Sequence, residues 1–201
     1  MGSDLPGFFE ATEMPSARWW EALWPDPAAV LNAVGLIADT EAIDLCAGDG
    51  LFTLHIAKAA RRVVAIVIDC TMLAAARYRL HQNGIGNCDF VVGDAYDVNK
   101  LAPRPADFIF LANAFHGVPD KTRLAQAVHD ILKPGGLFAI VSWYARPREE
   151  TTVLGEPRGP ATQLRMTPEQ TIVSVQPGGF KFRNQIEVSP YHYGAVFERS
   201  R

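Results

Sequence analysis

Carboxylates stand at the ends of three successive apolar segments, where they could bind the polar groups of a nucleotide. Asp44 ends the first segment, Asp69 ends the second, and Asp94 follows the third. A glycine turn at 48–50 follows the first acid and precedes an apolar run of helical character. A strand, a tight glycine turn and a helix in this order are typical of nucleotide-binding folds, in which the second acid accepts hydrogen bonds from a ribose diol. The three acids together predict such a ligand more specifically than the glycine turn alone.

Further polar and aromatic side chains follow the fourth and fifth apolar segments. Asn113 and His116 come after the fourth, at the carboxyl edge where open α/β sheets bind their ligands. A histidine there could deprotonate a nucleophile near neutral pH. It could equally hydrogen-bond a backbone carbonyl or only line the pocket. Trp143 and Tyr144 end the fifth segment, beside the region where we expect a substrate to bind next to the nucleotide.

Alternating strand and helix signals supply the elements that must position these side chains. Almost wholly apolar runs are typical of strands covered by helices on both sheet faces. The predicted strands are 41–45, 63–68, 89–92, 107–112 and 137–143, followed by a hairpin of 180–188 and 191–199. The predicted helices are 27–34, 51–60, 71–83, 120–132 and a short one from Thr167-Pro168. We expect residues 1–24 to be irregular and 144–166 to form a long loop.

Composition restricts the functional classes. The chain has 201 residues, is 48% hydrophobic and carries a formal net charge of −3. No basic block supports nucleic-acid binding, no apolar run reaches the length of a membrane span, and the N-terminus does not read as a signal peptide. Three cysteines without a CxxC pair favour reduced thiols, a cytoplasmic location and no metal site.

The residues resemble the class I S-adenosylmethionine (SAM)-dependent methyltransferases over about 26–199. The run 44–50, Asp-Leu-Cys-Ala-Gly-Asp-Gly, looks like the first motif of that family, and 132–136, Leu-Lys-Pro-Gly-Gly, matches the turn before its fifth strand. The run 112–120, Ala-Asn-Ala-Phe-His-Gly-Val-Pro-Asp, is similar to small-molecule members such as the quinone-biosynthesis C-methyltransferases and the type 11 group. The chain departs from the pattern at Cys46, which takes the place of the first glycine, where a positive φ would be less comfortable.

The resemblance implies an α/β fold, a Rossmann-like three-layer sandwich. Its seven-stranded sheet is mostly parallel and has an antiparallel C-terminal strand. It also implies that residues 1–25 form an N-terminal aromatic lid over a single SAM-binding domain, 26–201. An aromatic lid would exclude water and attract the sulfonium cation.

The resemblance further implies a role for each part of the cofactor site. Asp44 would face the ammonium of the cofactor, Asp69 the ribose and Asp94 the adenine amine, while N–H groups of the helix after the glycine turn would receive the carboxylate. The implied cofactor-binding residues are Asp44, Ala47, Gly48, Gly50, Asp69, Cys70, Met72, Asp94, Ala95 and Asn113. The implied acceptor-binding residues are Trp20, Trp24, His116, Trp143 and Tyr144, with His116 the candidate catalytic base.

These observations predict a SAM-dependent methyltransferase that acts on a small molecule and releases S-adenosylhomocysteine. A homodimer is an open alternative to a monomer. One rival function is a nicotinamide-dependent oxidoreductase, although Thr53 stands where its third fingerprint glycine belongs. The other rival is a protein that binds SAM without catalysis.

Overall fold

A central sheet of seven strands organises the protein, whose computed structural model describes residues 6–200. The strand order is β3-β2-β1-β4-β5-β9-β8, with β9 antiparallel to both of its neighbours and the first five strands parallel. The sheet strands are β1 Glu41–Leu45, β2 Arg62–Val67, β3 Cys88–Val92, β4 Ala106–Ala112, β5 Leu132–Trp143, β8 Phe180–Ser189 and β9 His192–Arg199. The predicted fold class, including the antiparallel C-terminal strand, is confirmed.

Helices cover both faces of the sheet. They are α1 Ala17–Leu23, α2 Pro27–Ala33, α3 Leu51–Ala59, α4 Cys70–Gln82, α5 Val98–Leu101, α6 Lys121–Ile131 and α7 Pro168–Val175. Two apolar cores result, because alternate residues of a strand point to opposite faces. On β4, Ile109 packs in the core with α5, α6 and α7, whereas Phe110 packs in the core with α1, α2 and α3.

Side-chain caps fix where the helices begin. Asp26 accepts a hydrogen bond from Ala29 N at 2.9 Å and precedes a proline in the first turn of α2. Thr167 forms a reciprocal capping box with Gln170 at the start of α7. The short helix predicted from Thr167-Pro168 is therefore present.

The N-terminal region differs from the expectation that residues 1–24 are irregular, because α1 is helical. Its start has no side-chain cap, and it buries Trp20 and Leu23 against the core. Packing against the rest of the protein, rather than local preference, stabilises such a seven-residue helix. Residues 1–5 of the predicted lid segment, and residue 201 of the predicted domain, lie outside the described residues.

Two further differences concern the region around β5. The strand begins at Leu132, not at Leu137, since Leu132 pairs with Ala106 and the turn at 133–136 is accommodated as an irregularity inside the strand. The loop 144–166 contains a small hairpin, β6 Thr152–Val153 and β7 Glu156–Pro157, between two short 3₁₀ turns.

Across residues 6–200, none of the helices combines the length and the apolar character needed to cross a membrane.

Candidate functional site

A cavity of about 1180 Å³ opens at the carboxyl edge of the parallel strands. It is the place where open α/β sheets bind ligands. Eleven of the residues selected from the sequence line it: Trp20, Asp44, Ala47, Gly48, Asp69, Cys70, Met72, Ala95, Asn113, His116 and Trp143. Four others, Trp24, Gly50, Asp94 and Tyr144, are not part of its lining.

The turn after β1 has the left-handed backbone that the sequence suggested. Cys46 has φ +62°, so the position usually held by glycine carries a side chain here in a conformation that favours glycine. Gly48, at φ +55°, faces the N-terminal segment, since an added Cβ would lie 2.6 Å from Met14 Sδ. Gly50 caps α3, and an added Cβ would lie 2.9 Å from Ala76 Cβ. Gly50 therefore permits α3 and α4 to pack closely and does not face the cavity.

Asp44 is a buried carboxyl at the end of β1. Its side chain is fixed by Thr53, whose hydroxyl donates a hydrogen bond of 2.5 Å to Oδ2. Burial raises the pKa of Asp44 to about 7, with a further contribution from the charge of Asp49, although the Thr53 hydrogen bond lowers it. A cation beside Asp44 would restore the charged carboxylate, and the ammonium of an amino-acid tail fits this requirement.

Asp69 and Asp94 occupy equivalent positions at the next two strand ends. Oδ1 of Asp69 accepts from Thr71 N at 2.7 Å, and Oδ1 of Asp94 accepts from Tyr96 N at 2.9 Å. Each backbone N–H orients one carboxylate. In the described residues, Oδ2 of neither acid accepts a hydrogen bond, so a ligand hydroxyl or amine has an acceptor available at Asp69, which lines the cavity.

The segment 6–16 crosses the carboxyl edge and forms one wall of the cavity. It begins beside Asp94, since a Cβ on Gly7 would lie 2.7 Å from Asp94 Oδ2. Phe9 is buried and packs edge-on against Tyr96, with ring centroids 5.8 Å apart. At Gly117 the contact is closest, because an added Cβ would lie 2.1 Å from the carbonyl oxygen of Glu10.

The same segment holds His116. Nε2 lies 3.0 Å from the carbonyl oxygen of Ala11, and a carbonyl can only accept, so Nε2 carries the proton. Nδ1 is then the unprotonated nitrogen, and it is buried without a partner in the described part of the chain. Burial lowers the pKa of His116, so the ring is neutral at pH 7. The backbone contact and the lining role foreseen for His116 both occur, and they leave one basic nitrogen free.

Asn113 follows β4 in a left-handed conformation, φ +57°. Its backbone N–H donates to Val141 O at 2.8 Å, which anchors the residue to β5. Both polar atoms of its side chain are buried and have no partner among residues 6–200. Buried amides nearly always have hydrogen bonds, so a strained residue with a free amide in a cavity indicates a ligand contact.

Trp143 forms the wall at the other end of the cavity and is only 2% exposed. His192 packs 4.0 Å from its ring centroid, and the guanidinium carbon of Arg165 lies 5.0 Å from it. Trp24, expected in the acceptor site, instead packs behind the wall, 4.5 Å from His192. Tyr144 points away from the cavity and packs against Tyr193 at 5.2 Å.

Arg165 organises the loop that carries this wall. It is 5% exposed, and its guanidinium donates to the carbonyl oxygens of Pro160, Arg146 and Arg158 and to Thr151 Oγ1. Sequence reasoning placed this arginine among loop charges and missed its structural role. It also missed Met14 and Thr53. Thr53 could have been found, because a hydroxyl nine residues after Asp44, on the helix that follows β1, is placed to donate to that carboxylate.

The chain matches a family model described as a methyltransferase domain over residues 43–140. A ubiquinone biosynthesis O-methyltransferase of Xanthomonas euvesicatoria pv. vesicatoria is 29% identical over 128 residues, 59% of this chain and 53% of the relative. The ubiquinone/menaquinone biosynthesis C-methyltransferase UbiE of Pseudoalteromonas translucida is 28% identical over 112 residues, 54% of this chain and 44% of the relative. The chain thus spans about half the length of these curated relatives.

The fold is similar to that of a SAM-dependent methyltransferase from Aquifex aeolicus, with a TM-score of 0.76 and 20% sequence identity. The similarity covers 92% of this chain and 99% of the other. The family match lies on β1 to β5, the strands that form the cavity edge. Residues 43–140 thus match a methyltransferase domain, and the chain as a whole has the fold of SAM-dependent methyltransferases of known structure.

Proposed function

We propose that this protein binds SAM in the cavity and transfers its methyl group to a small-molecule acceptor. The observation that carries the proposal is the arrangement of one cavity with the acids Asp44 and Asp69 at one end and Asn113, His116 and Trp143 at the other. SAM supplies an electrophilic methyl group on a sulfonium. Alignment of donor and acceptor provides most of the catalysis of such a transfer.

The cofactor end fits the polar groups of SAM. Asp44 binds the ammonium, which compensates a carboxylate that burial otherwise disfavours. Asp69 accepts from the ribose hydroxyls. The N-terminus of α3 receives the carboxylate after the turn at Gly48. Asp94 binds the adenine amine at its edge, where Gly7 packs. Around these groups, Ala47, Cys70, Met72 and Ala95 supply the remaining walls.

The acceptor end fits a nucleophile that must lose a proton. Nδ1 of His116 accepts that proton, because Nε2 is already committed to Ala11. The amide of Asn113 orients either the acceptor or the cofactor, since neither of its polar atoms has a partner in the part of the chain that the structure describes. Trp20 and Trp143 provide apolar walls that suit a flat acceptor.

Neither rival function is favoured. In a nicotinamide-dependent oxidoreductase the third glycine of the fingerprint allows close packing of helix and strand. Here that position is Thr53, and its hydroxyl is used by Asp44. A protein that only binds SAM would have no use for a neutral His116 and an Asn113 whose Nδ1 and amide atoms, respectively, find no partner among residues 6–200.

The same proposal includes the cellular location, the class of acceptor and the oligomeric state. A cytoplasmic location suits three free thiols, and the net charge of −3 does not favour nucleic-acid acceptors. The two curated relatives are named for ubiquinone or menaquinone biosynthesis, which suits an aromatic acceptor here as well. A homodimer stays an alternative to a monomer, and sedimentation of the purified protein distinguishes the two.

Calorimetric titration with S-adenosylhomocysteine tests the proposal, with NADH and NADPH as parallel ligands. We expect micromolar binding of S-adenosylhomocysteine alone. Asp69→Ala should weaken it by about 1.5–3 kcal/mol, the usual loss for hydrogen bonds to a charged group. Asp130→Ala, on the exposed surface of α6, is the matched control and should bind as the parent does. Binding of a nicotinamide cofactor instead would support the oxidoreductase.

A further inference from the structure

Guanidinium groups gather at the acceptor end of the cavity. Arg148 and Arg158 line it, and Arg165 lies directly behind Trp143. Burial lowers the pKa of both His116 and His192, and the charge of Arg165 adds to it, so this arginine acts on the site through the wall. A cluster of positive charge beside a cationic cofactor is unfavourable unless a negative group completes it.

The charge of Arg165 forms no direct ion pair in the described residues, and Glu149 compensates only part of it from a longer distance. All the oxygens that its guanidinium contacts are neutral, three carbonyls and one hydroxyl. Among residues 6–200, no carboxylate oxygen lies within 4.0 Å of its nitrogens. Burial of a charge is costly unless the charge is paired, so this arginine leaves a positive potential behind the wall.

The two lining arginines keep donors for a ligand. Arg148 donates from Nε to Gly159 O at 3.0 Å and forms no ion pair with a described carboxylate. Arg158 pairs through Nη2 with Glu156 at 2.7 Å, yet its Nε is buried without a partner in the same set of residues. Glu13, which acts on His116, also lines the cavity and offsets part of the positive charge. Guanidinium donors of this kind match the planar geometry of a carboxylate.

Indoles accompany these charges. The guanidinium carbon of Arg158 lies 5.4 Å from the ring centroid of Trp19, as that of Arg165 lies 5.0 Å from Trp143. Both indoles line the cavity. The acceptor end therefore offers flat apolar walls with cations at their margins, while carboxylates stand at the cofactor end. An aromatic body with one anionic substituent complements both features.

We propose that the acceptor is an aromatic carboxylate, whose carboxylate binds Arg148 and Arg158 while its ring packs against the partly exposed Trp19. This inference rests on the proposed methyl transfer and narrows its substrate class. The carboxylate serves recognition, and a separate group on the ring accepts the methyl.

Titration of the protein loaded with S-adenosylhomocysteine tests the inference, using carboxylates and their neutral amides of equal shape. The pairs are 3,4-dihydroxybenzoate with 3,4-dihydroxybenzamide, salicylate with salicylamide, and indole-3-acetate with indole-3-acetamide. In each pair that binds, we expect the carboxylate to bind about tenfold or more tightly than the amide, as for a hydrogen bond to a charged group. Equal affinity within the pairs, or no binding of any carboxylate at millimolar concentration, overturns the inference.

Variants locate the preference. Arg148→Gln with Arg158→Gln should abolish the tenfold preference, and Arg146→Gln should preserve it. Arg146 is the matched control because it lies on the same loop, carries the same charge and donates to Pro190 O outside the cavity. A preference that survives the double substitution overturns the assignment. Affinity of the parent protein for S-adenosylhomocysteine is measured first. If the parent does not bind S-adenosylhomocysteine, the proposed function is contradicted. If it binds S-adenosylhomocysteine but shows no preference for carboxylates, only this inference is contradicted.

Discussion

His116 has its two ring nitrogens in different surroundings, and the difference predicts what substitution does. His116→Gln keeps an N–H that can reach the Ala11 carbonyl but removes the basic nitrogen. We expect affinity for S-adenosylhomocysteine to stay within about twofold while turnover falls about a hundredfold or more, the usual contribution of a general base. Steady-state kinetics with an identified acceptor, together with calorimetry, measure both quantities.

His81→Gln is the control for that experiment, because His81 lies on the exposed face of α4 and takes no part in the cavity lining. Unchanged turnover of His116→Gln would reduce His116 to a residue that only supports the wall.

We expect cofactor binding to depend on pH through Asp44. Its pKa is about 7 in the free protein, and a bound ammonium requires the charged carboxylate. Below pH 7, binding must therefore remove a proton, so affinity decreases as the pH falls. We expect S-adenosylhomocysteine to bind about tenfold more weakly at about pH 6 than at about pH 8.

Asp44→Asn removes the titrating group and should bind S-adenosylhomocysteine weakly and equally at both pH values. The asparagine remains able to accept the Thr53 hydrogen bond, so the local structure is retained. If the parent shows no pH dependence over this range, Asp44 does not pair with the ammonium.

Among the elements, the segment 6–16 depends on a small residue in the loop after β4. A Cβ at Gly117 would lie 2.1 Å from the carbonyl oxygen of Glu10. Because this oxygen belongs to the backbone, it cannot move aside as the end of a flexible side chain could. Gly117→Ala should therefore displace the segment, at a cost of about 1–3 kcal/mol. Cleavage by a glutamate-specific protease after Glu10 and Glu13 should become about tenfold faster, as followed by mass spectrometry.

Gly86→Ala is the matched control, since apart from its chain neighbours no atom of residues 6–200 lies within 4 Å of its added Cβ and its φ is not positive. Equal cleavage rates in the Gly117 and Gly86 variants would mean that the segment does not rest on Gly117.

Local sequence patterns were sufficient to predict some of the helices and strands but not all of them. Strands β1 to β4 were predicted within a residue or so because buried parallel strands are apolar throughout and end at acids or turns. Helix α1 was not predicted, since seven uncapped residues carry little local signal and Trp20 and Leu23 gain their stability from the core. The start of β5 was also missed. The run Lys-Pro-Gly-Gly predicts a turn that separates a helix from a strand, whereas in the structure it is an irregularity inside the strand.

For the whole molecule, the fold and the placement of the acids at the cavity edge followed from short motifs, whereas the contacts around His116 and Arg165 did not. Asp44, Asp69 and Gly48 are adjacent to strand ends, so the sheet alone brings them together. The contacts of Met14 with Gly48 and of Ala11 with His116 join residues far apart in the chain. Arg165 resembled any solvated loop charge, and only the folded loop shows that its guanidinium makes four hydrogen bonds to neutral oxygens.

The segment 6–16 contacts the glycine turn through Met14 and contacts His116 through Ala11, so we propose that a single motion of the segment uncovers both ends of the cavity. Donor and acceptor then share one gate. Lid motions in enzymes occur over microseconds to milliseconds and often limit turnover through product release. We therefore expect the residence time of S-adenosylhomocysteine behind this segment to set an upper limit on turnover, whatever the reactivity of the acceptor.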